Sequence, residues 1–238
     1  MGADRGVIIT GGTGGLGGAV VARFLRDGYR VGVPYRSDAE WSALAQAQDA
    51  AVSGSRLLGV PADLTDADST RAAIDRAADA FGGLSALVHL AGGYAGGTPV
   101  EQLDAAVVRR MIDTNLLTAF WAAKHVLPHV KRSGHGRLLF ISSRGAVVTE
   151  PGASAYAASK AGLSALVLTL AKELRADSVT ANAILPSVID TPANRAAMPG
   201  VDPSRWVKPE EIAALLAFLA SESAASVSGA LIPIYGRA

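Results

Sequence analysis

The sequence of 238 residues predicts an α/β protein whose single doubly wound sheet has seven parallel strands flanked by helices. Short β-branched and aliphatic runs alternate with helical patterns along the whole chain. Glycine clusters follow the first and fourth of these runs, at strand ends where open parallel sheets bind ligands. No repeat or linker divides residues 1–238, so we expect one domain.

The composition excludes several classes of function. The chain has 22 basic and 21 acidic residues and no Lys/Arg cluster, so we expect neither a nucleic-acid nor a membrane partner. It has no cysteine, which excludes disulfides and thiol chemistry, and its histidines lack a matching carboxylate cluster for a metal. Without a secretory signal pattern or a spanning apolar run, we expect a cytoplasmic protein that acts on a small molecule.

The first strand, Gly6–Thr10, runs into the glycine cluster 11–18 and then into a helix that ends near residue 27. This succession is the context of a phosphate-binding turn, because glycines allow close backbone approach and the helix N-terminus offers free N–H groups. It predicts a Rossmann fold that binds a dinucleotide. The predicted contacts at this turn are Gly11, Thr13, Gly14, Gly15, Leu16 and Gly17.

The second strand, predicted over 29–33, leads to Tyr35 and Arg36 before a helix over 38–51. In dinucleotide folds an acid at this tip binds the ribose 2′-hydroxyl, whereas Arg suits a 2′-phosphate. We therefore expect NADP(H) to be preferred, with NAD(H) as the alternative because Asp38 could neutralise Arg36.

The third and fourth strands, over 56–60 and 86–90, add further cofactor candidates. The Asp63 carboxylate could accept a hydrogen bond from the adenine amino group, and Leu64 follows it. Ala91 and Gly92 open the second glycine cluster. His89 lies within an apolar strand and is interpreted as a packed core residue.

The fifth strand, 137–141, ends at Ser143, whose hydroxyl could contact a substrate oxygen. Helices predicted over 99–113 and 116–131 meet at Asn115, where a polar amide can interrupt the helical hydrogen bonds and hold a water. A helix over 155–174 carries Tyr156 and Lys160 on one face. Because an adjacent ammonium stabilises a phenolate, we expect the Tyr156 pKa to fall below its usual value of about 10, which suits a general acid/base.

The last third of the chain contains a strand over 178–185 and a proline-rich segment, 190–208, that we interpret as a lid over the strand ends. A helix begins at Pro209, and a final strand over 230–235 contains Pro233, which is typical of a sheet edge.

Taken together, these motifs resemble the short-chain dehydrogenase/reductases over essentially the full length. The resemblance implies that Tyr156 protonates a carbonyl or imine while the nicotinamide delivers hydride, with Ser143 bonding the reacting oxygen. It further implies that Lys160 lowers the Tyr156 pKa and holds the ribose, and that Asn115 anchors a proton-relay water. The implied catalytic set is Asn115, Ser143, Tyr156 and Lys160, and the implied carboxamide turn includes Pro186, Ile189 and Thr191.

The sequence departs from this family where His89-Leu90 replaces the first two residues of the usual Asn-Asn-Ala-Gly, losing amides that brace the sheet. Residues 91–97 and 185–199 are similar to quinoid dihydropteridine reductases, whereas Arg36 and Ser143 are not. Three functions therefore stay open: an NADP(H)-dependent carbonyl reductase, a dihydropteridine-type reductase, and a non-catalytic dinucleotide sensor.

The predicted substrate wall is apolar and suits a modest, mostly uncharged molecule, although Arg144 and Arg195 could bind a carboxylate. The apolar helices over 115–131 and 155–174 predict a homo-oligomer, a tetramer or a dimer. The wall residues are Tyr94, Ser143, Val148, Ser187, Pro192, Asn194 and Trp206.

Overall fold

The structure, a computed structural model, describes residues 5–237. Residues 1–4 and residue 238 lie outside the described part of the chain. The prediction that the N-terminus has no signal pattern falls partly on residues 1–4. The predicted fold class is confirmed: seven strands form one sheet in the order β3-β2-β1-β4-β5-β6-β7, and every pair is parallel. The strands are β1 (Gly6–Thr10), β2 (Arg30–Tyr35), β3 (Leu57–Pro61), β4 (Ala86–His89), β5 (Arg137–Ile141), β6 (Thr180–Pro186) and β7 (Leu231–Ile234).

Helices cover both faces of the sheet because the strands are apolar on both faces. In β1, Val7 and Ile9 pack on one face against α1 and α9, while Ile8 packs on the other against α4. The remaining helices extend these two layers. The helices are α1 (Gly17–Arg26), α2 (Asp38–Ala47), α3 (Asp49–Ser53), α4 (Ala67–Phe81), α5 (Ala105–Ile112), α6 (Thr118–Arg132), α7 (Ser154–Glu173), α8 (Pro192–Ala197) and α9 (Pro209–Ala220).

The strand order reverses between β1 and β4, which defines the crevice where open α/β sheets bind ligands. The loops after these two strands lie in contact there. A Cβ atom at Gly11 would lie only 2.9 Å from the Ala91 backbone nitrogen, and Gly11 also has a positive φ of 66°. Glycine is therefore required where the two loops meet.

Two helical predictions are revised by the structure. The helix predicted over 38–51 divides at Gln48, whose φ of −123° is not helical, into α2 and α3. The helix predicted from residue 99 begins only at α5, after a short 3₁₀ turn, Val100–Gln102. The predicted interruption at Asn115 is confirmed, because Asp113–Leu117 forms a π-helical turn between α5 and α6.

The proline-rich segment after β6 contains α8 and a 3₁₀ turn, Pro203–Arg205. A parallel bridge between Ile189 and Val207 joins its two ends. β7 is an edge strand, as Pro233 predicts. Among the described residues, none of the helices combines the length and apolar character that crossing a membrane requires.

Candidate active site

The four residues of the predicted catalytic set lie together beneath the carboxyl end of β5. Gly92 shows how closely they approach one another. A Cβ atom there would lie 2.8 Å from Asn115 Oδ1 and 3.1 Å from Lys160 Nζ. The backbone of the second glycine cluster therefore runs directly beside two of the predicted catalytic side chains.

Ser143 and Tyr156 bring their hydroxyl groups to the same point. The two side chains are hydrogen bonded, and Ser143 Oγ also accepts from the Gly145 backbone N–H at 3.0 Å. A Cβ atom at Gly145 would lie 3.3 Å from both Ser143 Oγ and Tyr156 Cε1. The turn after β5 thus holds the serine hydroxyl against the phenol, where a carbonyl oxygen could contact both.

The pKa of Tyr156 differs from the prediction. Burial disfavours the phenolate and raises the Tyr156 pKa above its usual value, and the negative charge of a Tyr94 phenolate acts in the same direction. The hydrogen bond from Ser143 opposes this shift without cancelling it. Lys160 does not produce the predicted decrease, because its ammonium is held elsewhere. Tyr156 is consequently protonated at neutral pH, the form that a general acid needs.

Lys160 is buried, and its Nζ donates to the Ile141 carbonyl at 2.9 Å. Desolvation of the ammonium lowers the Lys160 pKa to about 8. The start of α7 is fixed to the end of β5 by two serines that sequence reasoning missed. Ser142 Oγ and Ser164 Oγ each donate to the Lys160 carbonyl at 3.1 Å and lie 2.9 Å from each other.

The Asn115 side chain lies in the π-helical turn and uses its whole amide within the protein. Its Oδ1 accepts from the Gly93 N–H at 2.8 Å, and its Nδ2 donates to the Gly93 carbonyl and to Ser159 Oγ, each at 3.0 Å. Ser159 Oγ donates in turn to the Tyr156 carbonyl at 2.7 Å. Ser159 was also missed, although its position three residues after Tyr156 on a helix was a readable signal.

His89 supplies the brace that the sequence appeared to lack. It is fully buried, with Nδ1 2.9 Å from Thr10 Oγ1 and Nε2 3.3 Å from Thr118 Oγ1. Thr118 donates its own proton to the Thr114 carbonyl, so His89 donates through Nε2 and accepts at Nδ1. Burial, with a smaller contribution from Lys160, lowers the His89 pKa to about 3. A neutral imidazole therefore links β1, β4 and α6 where amides were expected.

The glycine loop has the shape of a phosphate cradle. A Cβ atom at Gly17 would lie 2.5 Å from the Gly12 carbonyl carbon, so the loop folds against the first turn of α1. A Cβ atom at Gly15 would lie 3.0 Å from Thr191 Cβ, so the loop faces the turn after β6. Thr13 Oγ1 donates to Glu40 at 3.0 Å. A dinucleotide fits this arrangement, since only glycines leave backbone N–H groups open to it.

The tip of β2 is open to solvent. Arg36 is exposed, and its charge contributes to the lowered pKa of Asp63, whose carboxylate mainly accepts from Thr65. The Thr65 hydroxyl and N–H both bond Asp63 Oδ1, at 2.7 and 2.9 Å. The Tyr35 ring is stacked on Trp41 with centroids 5.3 Å apart. Leu64 is partly buried beside Asp63.

The turn after β6 is held by Asn194 and Thr191. Asn194 Nδ2 donates to the Ile189 carbonyl at 2.8 Å, and Thr191 Oγ1 accepts from the Asn194 N–H at 3.3 Å as the N-cap of α8. Ile189 and Pro186 both line the cavity described next. The family resemblance assigns the Ile189 backbone and the Thr191 hydroxyl to the cofactor carboxamide.

A cavity of about 490 Å³ opens over Ser143 and Tyr156. Two predicted wall residues do not line it: Pro192 begins α8, and the large apolar side chain of Trp206 is buried in the fold. Arg195 is not available to bind a substrate carboxylate, because it forms a bidentate ion pair with Asp190 at 2.6 and 2.8 Å. The predicted wall residues that do line the cavity are Tyr94, Ser143, Val148, Ser187 and Asn194, and Arg144 joins them.

Within residues 5–237, no group of three or more His, Cys, Asp or Glu side chains is placed to hold a metal ion. The site instead presents two hydroxyls, a buried lysine and a cradle for a dinucleotide. These groups have the chemistry that acid/base work beside a bound dinucleotide requires.

Comparison with known proteins identifies the family. The family model described as short chain dehydrogenase matches residues 5–201. The chain is 34% identical to the cis-4-hydroxycyclohexanecarboxylate dehydrogenase of Sinomonas cyclohexanicum, over 98% of this chain and 96% of that protein. It is 33% identical to the 3-oxoacyl-(acyl-carrier-protein) reductase MabA of Mycobacterium tuberculosis, over 98% of this chain and 92% of that protein.

A solved structure of a short-chain type dehydrogenase/reductase from Mycobacterium ulcerans matches with a TM-score of 0.93 and 30% identity, over 99% of this chain and 90% of that chain. The chain therefore belongs to the short-chain dehydrogenase/reductase family, whose members bind NAD(P). It is an oxidoreductase of the type that acts on hydroxyl and carbonyl groups.

Proposed function

We propose that the protein is an NADP(H)-dependent reductase of a ketone, an aldehyde or a related C=N group, with Tyr156 as the general acid. The observation that carries this proposal is the hydrogen-bonded pair of Ser143 and Tyr156 at the base of the cavity, one helical turn from buried Lys160.

In this reaction Ser143 donates a hydrogen bond to the substrate oxygen, and Tyr156 gives its proton to the same oxygen. The nicotinamide, when bound, supplies the hydride to the carbonyl carbon. Lys160, with a pKa of about 8, can return a proton toward the phenolate near neutral pH. The Asn115 Nδ2 group already donates to Gly93 and Ser159, so a relay water would donate to Oδ1 or to the Asn115 backbone.

The residues proposed to hold the dinucleotide are those of the cradle. The glycine loop binds the pyrophosphate, Asp63 the adenine amino group, and Lys160 the nicotinamide ribose. Arg36 binds the 2′-phosphate, supported by its exposed position at the tip of β2, where no acid precedes it. The turn at Ile189 and Thr191 holds the carboxamide, and segment 190–208 closes over the site as a lid.

The cofactor proposal is tested by titrating NADPH and NADH into wild type and Arg36→Ala, with Arg205→Ala as the matched control. We expect NADPH to bind more tightly than NADH and to lose about tenfold in affinity in Arg36→Ala alone. Tighter NADH binding that is indifferent to Arg36 would make the NADH-dependent, dihydropteridine-type alternative the better hypothesis.

The reaction is tested by following NADPH oxidation with cyclic ketones, aldehydes and a quinonoid dihydropterin. Turnover that falls by about 10²- to 10⁴-fold in Tyr156→Phe, while NADPH binding persists, supports the proposal. Turnover confined to the dihydropterin would establish the second candidate. No turnover with any substrate would favour the sensor hypothesis.

We also propose a homo-oligomer, a tetramer or a dimer, formed through helices α5 to α7. Its support is the outward apolar side chains on these helices: Val108, Phe120 and Leu168 are 39%, 45% and 39% exposed. Light scattering coupled to size-exclusion chromatography is the test, and a monomeric mass would refute it.

A further inference from the structure

We infer that Arg144 is a specificity-determining residue that binds the carboxylate of a compact keto or hydroxy acid in the cavity over Tyr156. This inference rests on the proposed function, because the acid is assigned to the same site. It revises the sequence-based expectation of a mostly uncharged substrate.

The position of Arg144 follows from Ser143. Arg144 is the next residue along the chain and begins the 3₁₀ turn Arg144–Ala146 that Ser143 caps. It is half-buried and lines the cavity. A substrate whose reacting oxygen contacts Ser143 therefore occupies a cavity that Arg144 also lines.

The guanidinium is directed toward the β7 side of the cavity. Its central carbon lies 5.8 Å from the centroid of the Tyr235 ring, a cation–π distance. The Tyr235 carbonyl accepts from Ser187 Oγ at 2.8 Å, and Ser187 lines the same cavity. Tyr235 thus positions the guanidinium at one wall and leaves its planar fork of N–H donors for an anion.

Of the positively charged side chains near the cavity, Arg144 is the one that can bind an anionic ligand. Lys160 donates to the Ile141 carbonyl beneath Tyr156, and Arg195 is neutralised by Asp190. Among residues 5–237, Arg144 forms no ion pair with a carboxylate; Glu150 also lines the cavity but is exposed and is not its partner. A half-buried cation without a counter-ion is a site that an anionic ligand completes.

One guanidinium matches one carboxylate, which accepts its two parallel N–H bonds. The cavity of about 490 Å³ is also lined by Lys160 and Ile189, which are proposed to hold the nicotinamide end of the cofactor, so the remaining space suits a small substrate. The substrate class is therefore a small carbonyl or hydroxyl compound that carries one carboxylate.

The test compares 4-oxocyclohexanecarboxylate with 4-methylcyclohexanone, which has a similar shape and no charge. Steady-state kinetics with NADPH are measured for wild type, Arg144→Met, Arg144→Lys and the control Arg195→Met. We expect the ratio of kcat/KM for the acid to that for the ketone to fall roughly tenfold to a hundredfold in Arg144→Met, mostly through KM. Arg144→Lys should recover part of this ratio, and Arg195→Met should keep the wild-type ratio.

The outcomes separate this inference from the proposed function. If wild type reduces both probes and Arg144→Met leaves their ratio unchanged, the inference is wrong and the proposed function stands. An equal loss on both probes would show that Arg144 acts on the fold or on catalysis, which also overturns the inference.

If wild type reduces neither probe, calorimetric titration with cyclohexanecarboxylate in the presence of NADP⁺ tests whether Arg144 binds a carboxylate. Binding that is lost in Arg144→Met and kept in Arg195→Met supports the carboxylate site even though the proposed reaction fails. Equal binding to all three proteins, or binding to none, refutes it.

Discussion

The floor of the cavity and its outer wall differ in how firmly their side chains are held. On the floor, Asn115 and Lys160 are buried, and each polar group there has a partner in the β5 end, the π-helical turn or α7. On the wall, Tyr94 is 69% exposed and Val148 is 50% exposed. Reacting groups must be held rigidly, whereas the wall can vary with the substrate without disturbing them.

This contrast has an energetic side. The floor contains the Lys160 ammonium taken out of water, which stabilises the fold less than an apolar side chain of similar size would. The wall contains side chains whose removal exposes little new surface. Substitutions on the floor should therefore alter stability and chemistry together, and substitutions on the wall should alter mainly specificity.

The largest effect is expected for Gly17→Ala in the cofactor cradle. The new Cβ atom would lie 2.5 Å from the Gly12 carbonyl carbon, so backbone must move. We expect a loss of about 3 kcal/mol in the free energy of unfolding, with cofactor affinity reduced more than about tenfold. Urea denaturation and NADPH titration measure the two effects.

Gly18→Ala is the matched control for that prediction. The neighbouring helical glycine has open space at its Cβ position, so the substitution should be neutral or stabilise α1 by up to about 1 kcal/mol. A similar loss in Gly18→Ala would show that the close backbone contact at Gly17 is not responsible.

Lys160→Met should remove a pH dependence of stability. The folded-state pKa of Lys160, about 8, lies below its ordinary value of 10.5, so the wild type gains stability as pH rises through this interval. The gain is on the order of 3 kcal/mol and is absent from the variant. The urea midpoint of the wild type should therefore rise relative to that of the variant between pH 7 and 10.5. If the two midpoints change in parallel with pH, Lys160 is not a buried ammonium in the folded protein.

His89→Leu should cost about 1–3 kcal/mol at pH 7.5, because Thr10 and Thr118 each lose a buried partner. The folded-state pKa of His89 is about 3 against an ordinary 6.5, so the stability contributed by neutral His89 is present above pH 6.5 and is lost as pH falls toward 3. The difference between wild type and variant should shrink over that interval in thermal unfolding.

His125→Leu is the control for His89→Leu. His125 Nε2 is buried without a hydrogen-bond partner among the described residues, so its replacement removes no such bond. An equal cost in the two variants would argue that imidazole volume, and not the brace, supplies the stability.

The smallest effect is expected on the wall, for Tyr94→Phe. The Tyr94 ring lies edge-on to Tyr156 with centroids 4.9 Å apart, and its ionisable hydroxyl contributes to the raised pKa of Tyr156. Removing that hydroxyl should shift the alkaline limb of the reduction profile slightly to lower pH. Val148→Ala should not shift it, and an upward shift in Tyr94→Phe would contradict the assignment.

Local patterns in the chain were enough to predict much of this arrangement. Alternating strands and helices gave the parallel sheet, the glycine loop gave the cradle, and the spacing of Tyr156 and Lys160 gave a shared helix face. Each of these depends on residues close together in sequence, for which backbone geometry alone fixes the relative positions.

Long-range packing decided what those patterns could not. His89 was correctly predicted to be buried, but its bonds to Thr10 and Thr118 join residues 79 and 29 positions apart. The pKa of Tyr156 rose because burial outweighed the hydrogen bond from Ser143, and Lys160 did not produce the expected decrease. Arg195 pairs with Asp190, whereas the Arg144 guanidinium lies over the Tyr235 ring and forms no ion pair among the described residues.

The sequence by itself therefore determined the fold class, the position of the glycine loop and which side chains are proposed to react. The tertiary structure alone decided their protonation, their supporting hydrogen bonds and which cation borders the cavity. Burial and charge pairing depend on every neighbour that folding brings near, and no local spacing in the chain encodes those neighbours.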